Sequence, residues 1–268
     1  MCQCEEDKIP SSPYKEIFLE FQHELDFKYD KHERLVKLSR DCTIQSKRVI
    51  FALHRISGNE ALKGRILSEA RKKISSEILC LLQGIILENE KKDPRKHHTA
   101  FSPGLQEFIE AIAFLTFLSK RRLVTMEEVQ SYLTFKVQQE SFLCEPTGAQ
   151  LGSEEAILCL PLDPVDYVLG IADLTGELMR LCINAVGCGD RELPFNMLTF
   201  MRATYSGFLS LRSIGKEMGR KTSVLKSSLM KVERVCYTLK IRGSEIPEHL
   251  LVRAIATDTD NNVDDYSL

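Results

Sequence analysis

Tryptophan is absent from this chain of 268 residues and aromatic side chains make up only 7% of it. Most of those aromatics fit core positions, so base stacking has little support as a mode of nucleic-acid recognition. Neither sign of charge is in excess. A formal net charge of −2 excludes a general attraction to polyanions, and any such binding has to come from a local patch. The sequence shows no signal-peptide pattern and no run of eighteen apolar residues, which argues against a membrane span. Nine cysteines without repeating spacing suggest free, mostly buried thiols in a reducing compartment. Cys2 and Cys4 read as part of a disordered end rather than as a metal site. The six histidines lack zinc spacing, and a di-iron bundle needs two Glu-x-x-His motifs where only Glu20-Phe-Gln-His23 fits. GxSxG, the phosphate-binding P-loop and GxGxxG are all missing, which leaves serine hydrolases and the common nucleotide folds unsupported.

What remains is helical periodicity. One long helix is expected from about Tyr14 to Ile56, and a second from about Asn59 to Glu90 across a weak Gly84. The charged segment from Lys91 to Ser102 reads as a loop around Pro94, with a third helix starting near Pro103-Gly104 and ending about Lys120. Thr125 and Glu128 form a capping box for a shorter helix. The stretch 135–162 reads as irregular, broken by Pro146, Gly148, Gly152 and Pro161. Helices follow at about Val165–Ala185, Pro194–Leu211 and Ile214–Arg242. No strand-like alternation persists, so the expected fold is all-α. It is a single domain over 14–256, an elongated bundle of about seven helices, with disordered ends at 1–13 and 257–268.

The chemistry concentrates in four carboxylates. Glu107 and Glu110 lie in GLQEFIEAIAF, and Asp173 and Glu177 in GIADLTGELMR. At i,i+3 and i,i+4 spacing each pair shares a helical face, where like charges repel and need water or a cation. A hard divalent ion such as Mg²⁺ is the natural guest for an all-oxygen site. Two readings stay open for the second pair, because Asp166, Asp173, Glu177, Arg180 and Asn184 also trace the polar stripe of an ordinary surface helix. The first pair is harder to explain as solvated. Ala113, Phe114 and Phe117 continue the face of Glu110, and a carboxylate entering a buried helix has to be protonated, paired or metal-bound.

HERLVKLSRDCTIQSKR (32–48), GLQEFIEAIAF (104–114), PVDYVLGIADLTGELMRLCINAVGCGD (164–190) and KVERVCYTLKIRGSEIP (231–247) together resemble the translin family. The likeness runs in order from about residue 15 to 250, and retention of all four acids matches the branch that carries the full set. It implies an all-α fold and a hetero-oligomer with translin itself, a hollow shell expected to be octameric. It also implies a Mg²⁺-dependent endoribonuclease on single-stranded RNA, with Mn²⁺ as a substitute ion and DNA as a second candidate ligand. By the same resemblance Glu107, Glu110 and Asp173 are the catalytic, metal-binding acids and Glu177 is the fourth ligand.

RNA also needs positive charge. Lys31, Arg34, Lys37 and Arg40 recur every three residues on the first helix, with Lys47, Arg48 and Arg55 beyond; Arg95, Lys96, His97 and His98 precede the acids. The RNA candidates taken from these are Arg34, Lys37, Arg40, Lys47, Arg48, Lys96 and His98, although a period of three winds round a helix rather than holding one face. Family members carry aromatic-His-Arg where this chain reads His97-His98-Thr99, and Pro103 is a second departure. Met1 to Pro13 has only Lys8 where relatives carry a basic import segment, so the cytoplasm is the expected location, with the nucleus also considered. Two rivals stand beside the nuclease. One is a non-catalytic scaffold that stabilises translin. The other is an all-α nucleotide pyrophosphohydrolase, whose second acidic motif is usually Glu-x-x-Asp close downstream, unlike the distant Asp173-x₃-Glu177 here.

Overall fold

The computed structural model describes residues 14–57, 60–89, 96–138, 155–211 and 215–242. The expected disordered ends and the middle of the 135–162 loop lie outside them. The chain is all-α, as its periodicity predicts. Helix α1 (Lys15–His54) is 40 residues long, about 60 Å at ~1.5 Å per residue. A short 3₁₀ turn (Glu60–Leu62) leads into α2 (Lys63–Lys73), which continues through a π turn (Ile74–Ile78) into α3 (Leu79–Glu88). Then come α4 (His98–Lys120), α5 (Met126–Tyr132), α6 (Pro164–Gly187), α7 (Leu193–Ser210) and α8 (Gly215–Arg242). Among the described residues no helix is long and apolar enough to cross a membrane.

Helix α4 is the centre of the bundle because it is apolar all round, with Phe108, Ile109, Ala113 and Phe114 fully buried. It packs between α1 and α6; α6 in turn packs on α8, and α7 lies against α6 and α8. Close approach depends on glycine. A Cβ on Gly104 would stand 2.5 Å from the carbonyl oxygen of Ser39 on α1, and one on Gly170 would stand 2.7 Å from Ile109. The Gly104 N–H donates to Ser39 Oγ at 3.0 Å across the first contact. These two approaches set α1, α4 and α6 side by side and so fix where the acids sit.

Local signals explain the boundaries. Thr125 Oγ1 accepts from the Glu128 N–H at 3.2 Å, and Glu128 accepts from the Thr125 N–H at 3.0 Å, completing the expected capping box. Asp163 caps α6 with Pro164 in its first turn. Two expectations need correction. Helix α4 begins at His98, not near Pro103, and Pro103 lies inside it. Burial of Ala100 and Phe101, and the side-chain bonds of His98 and Ser102 to Asp166, extend the helix back past the proline. Within the stretch read as irregular, β1 (Thr134–Gln138) and β2 (Glu155–Cys159) pair antiparallel, Phe135 opposite Leu158. Each strand has five residues, too few for alternation to stand out from sequence.

Among the described residues of α1, the N-terminal part buries no side chain. Ile17, Phe18, Phe21, Leu25 and Phe27 are exposed, and buried residues begin only at Lys31. Side chains of this kind leave a large apolar face uncovered in the isolated chain.

Candidate metal-binding active site

The four acids open into one cleft of about 600 Å³. Glu107 and Glu110 come one turn apart from α4, and Asp173 and Glu177 from the face of α6 turned toward it. Their settings differ. Glu110 is only 8% exposed. Burial, reinforced by the charges of Glu107, Asp173 and Glu177, pushes its pKa from the usual carboxylate value up to about 8. Burial also works to raise Glu177, but the His54 hydrogen bond and the Arg180 charge outweigh it, and that carboxyl is held below its ordinary value.

Among the described residues, cations pair directly with Glu107, Asp173 and Glu177, while Glu110 feels the Lys221 charge from farther away. Lys47 on α1 reaches Glu107 at 3.0 Å, and its own pKa is raised by that hydrogen bond and charge. Lys221 on α8 bonds both oxygens of Asp173. Arg180 reaches Glu177 at 3.1 Å, and His54 on α1 meets the same oxygen at 2.5 Å. With four carboxylates against Lys47, Lys221 and Arg180, the fully ionised cleft carries 3 − 4 = −1. It reaches balance when the buried Glu110 holds a proton.

The donor set suits a hard divalent cation: carboxylate oxygens on two rigid helices, with a buried member whose ionisation needs added positive charge. Among the described residues no three His, Cys, Asp or Glu side chains stand close enough to chelate an ion as arranged, since Asp173 and Glu107 are turned to their lysines.

The basic candidates separate. Lys47 joins the acids. Arg34, Lys37 and Arg40 line a different groove along α1, and Arg34 is bound to Glu88 at 2.7 Å. Arg48 is exposed beside Gln45, and Lys96 is exposed just ahead of α4. Lys31, counted with the basic run, is buried. His98 donates to Asp166 at 2.6 Å; Ser102 and Gln106 donate to the same carboxylate at 2.6 and 2.9 Å. Asp166 is 1% exposed, so the polar stripe of α6 is not an ordinary solvated face. Sequence reasoning missed His54 and Lys221. His54 stands seven residues after Lys47, two turns along the same face of α1, which is a readable signal. Lys221 arrives through the packing of α8 on α6, which leaves no local trace.

The arrangement matches a known architecture. The solved complex of AfC3PO with duplex RNA superposes with a TM-score of 0.58 at 18% identity, over 85% of this chain and 99% of that one. Apo-NeC3PO gives 0.56 at 19% identity, over 81% and 94%. Those likenesses define the class of fold, an all-α bundle like that of the C3PO chains. Sequence comparison narrows it: the Translin family profile matches residues 30–243, and the chain belongs to the Translin family. Translin-associated protein X of Mus musculus is 45% identical over 257 residues, 95% of this chain and 88% of the relative. The protein of that name from Rattus norvegicus is 44% identical over the same shares.

Proposed function

We propose that this chain is the catalytic subunit of a Mg²⁺-dependent endoribonuclease assembled with a translin-type partner, cutting single-stranded RNA by metal-assisted phosphodiester hydrolysis. The observation that carries the proposal is the convergence of Glu107, Glu110, Asp173 and Glu177 on one cleft, with Glu110 buried among the other three. The translin-associated name of the mouse and rat relatives supports the partner, and the AfC3PO complex with duplex RNA supports an RNA ligand.

The four carboxylates would hold the ion, Glu110 giving up its proton as it does so. Bound Mg²⁺ supplies Lewis acidity toward the phosphoryl oxygens and lowers the pKa of a bound water. Lys47 and Lys221, released from Glu107 and Asp173, then take the phosphate oxygens and offset the negative charge gathered during in-line attack. Arg180, exposed at the rim and paired with Glu177, would add positive charge beside the bound strand. Helix α4, packed on both sides, keeps Glu107 and Glu110 in place throughout.

The test is incubation of the chain, co-purified with its translin-type partner, with single-stranded RNA in Mg²⁺, in Mn²⁺ and in chelator. Cleavage in either metal that stops with chelator supports the proposal. RNA that is bound but intact under every condition would make the chain a scaffold subunit. Pyrophosphate released from nucleoside triphosphates would revive the pyrophosphohydrolase.

A further inference from the structure

His54 lies outside the set of acids, yet it makes a short contact to one of them. Its Nε2 stands 2.5 Å from Oε2 of Glu177, and its ring packs 4.9 Å from that of Phe114, one turn beyond Glu110 on α4. The imidazole is only 9% exposed. Its Nδ1 is buried with no hydrogen-bond partner. An ionised carboxylate can only accept, so Nε2 carries the proton and donates. The ring donates through Nε2 to Glu177.

Packing gives no reason for an imidazole here. A leucine would fill the space against Phe114 and leave no nitrogen unpaired in the interior. Holding Glu177 does give one. Arg180 donates to the same oxygen, Oε2, but from an exposed and flexible side chain. His54 is fixed between α1, α4 and α6. With Oε2 so restrained, Oε1 is the oxygen left to face a ligand.

We propose that His54 is a positioning residue of the metal site, orienting Glu177 so that the carboxylate presents one oxygen to the ion. Outer partners of this kind commonly change metal affinity about ten- to a hundred-fold when removed. The inference rests on the reading of the cleft as a divalent-cation site, and the experiment separates the two.

Binding of Mn²⁺ alone, followed by loss of the free-ion electron paramagnetic resonance signal, is measured on the complex with its translin-type partner. The chain is wild type, H54L, H54Q, H54N or E177Q. His54→Leu weakens binding about ten- to a hundred-fold. His54→Gln, whose amide nitrogen reaches the position of Nε2, restores it. His54→Asn, whose amide ends near the position of Nδ1, does not. The Mg²⁺ midpoint for cleavage rises in H54L while the rate at saturating Mg²⁺ is retained. If H54L does not assemble, the contrast of H54Q with H54N carries the same test. Wild-type affinity in H54L, or equal affinities in H54Q and H54N, overturns the role of His54 while E177Q still reports on the site. Absence of Mn²⁺ binding by wild type overturns both.

Discussion

Lys221 on α8 lays its ammonium group across both carboxylate oxygens of Asp173 on α6. On the proposed reading a metal ion and this lysine would compete for the same two oxygens, and the displaced lysine would receive a phosphate. Lys221→Gln should therefore have effects of opposite sign, tightening Mn²⁺ binding and weakening RNA binding. Loss of one phosphate contact reduces the salt dependence of RNA affinity by about one unit of slope in log K against log salt. A titration series at several salt concentrations checks both; an unchanged slope removes Lys221 from the RNA path.

The Glu110 carboxyl predicts a pH dependence. Its folded pKa of about 8 lies above the ordinary 4.5, so the folded chain binds more protons between those values. Stability of the metal-free complex then falls as pH rises from about 4.5 to about 8 and is level on either side, as far as this group contributes. Glu110→Gln removes that slope. Urea denaturation at pH 5, 6.5 and 8 should show the variant gaining on wild type step by step; a constant difference contradicts the buried, protonated acid.

Glycine at position 104 lets α4 reach the backbone of α1, where an added Cβ would meet Ser39 O at 2.5 Å. Gly104→Ala should cost about 1–3 kcal/mol or more through overpacking. Gly64 in α2 has nothing within 4 Å of an added Cβ. Gly64→Ala should instead stabilise by about 0.4–1 kcal/mol. Equal effects in denaturant unfolding would mean that helix contact does not control the first site.

His98 is committed to Asp166, which also receives Ser102 and Gln106. Asp166→Ala strands those donors and should cost about 1–3 kcal/mol. His98→Ala should lower the melting temperature and leave RNA affinity near wild type. The reverse pattern, full stability with weakened RNA binding, would return His98 to the list of phosphate contacts.

Much of this was readable in the chain itself. The 40-residue α1, the capping box at Thr125 and Glu128, and the burial of Glu110 follow from helical periodicity and short-range chemistry. The start of α4 was misplaced because proline is a good local stop signal, while the packing of Phe101 and the bonds to Asp166 are tertiary. The β1–β2 pair escaped because short strands carry little pattern. At the site, each acid pair showed in its own spacing, but their meeting across α4 and α6 needs the Gly170–Ile109 approach. His54 shares a face of α1 with Lys47, a spacing that sequence does show, whereas Lys221 comes from α8 through tertiary packing and no local rule selects it.

The most direct measurement is cleavage of single-stranded RNA in Mg²⁺ by the wild-type complex beside the Glu110→Gln complex, with binding of the same RNA measured for both. The substitution keeps the shape of the side chain and removes its charge. The acid cleft predicts cutting by wild type, none by the variant, and similar RNA binding by the two. Equal cutting by a pure E110Q complex would contradict it, and place the active centre elsewhere.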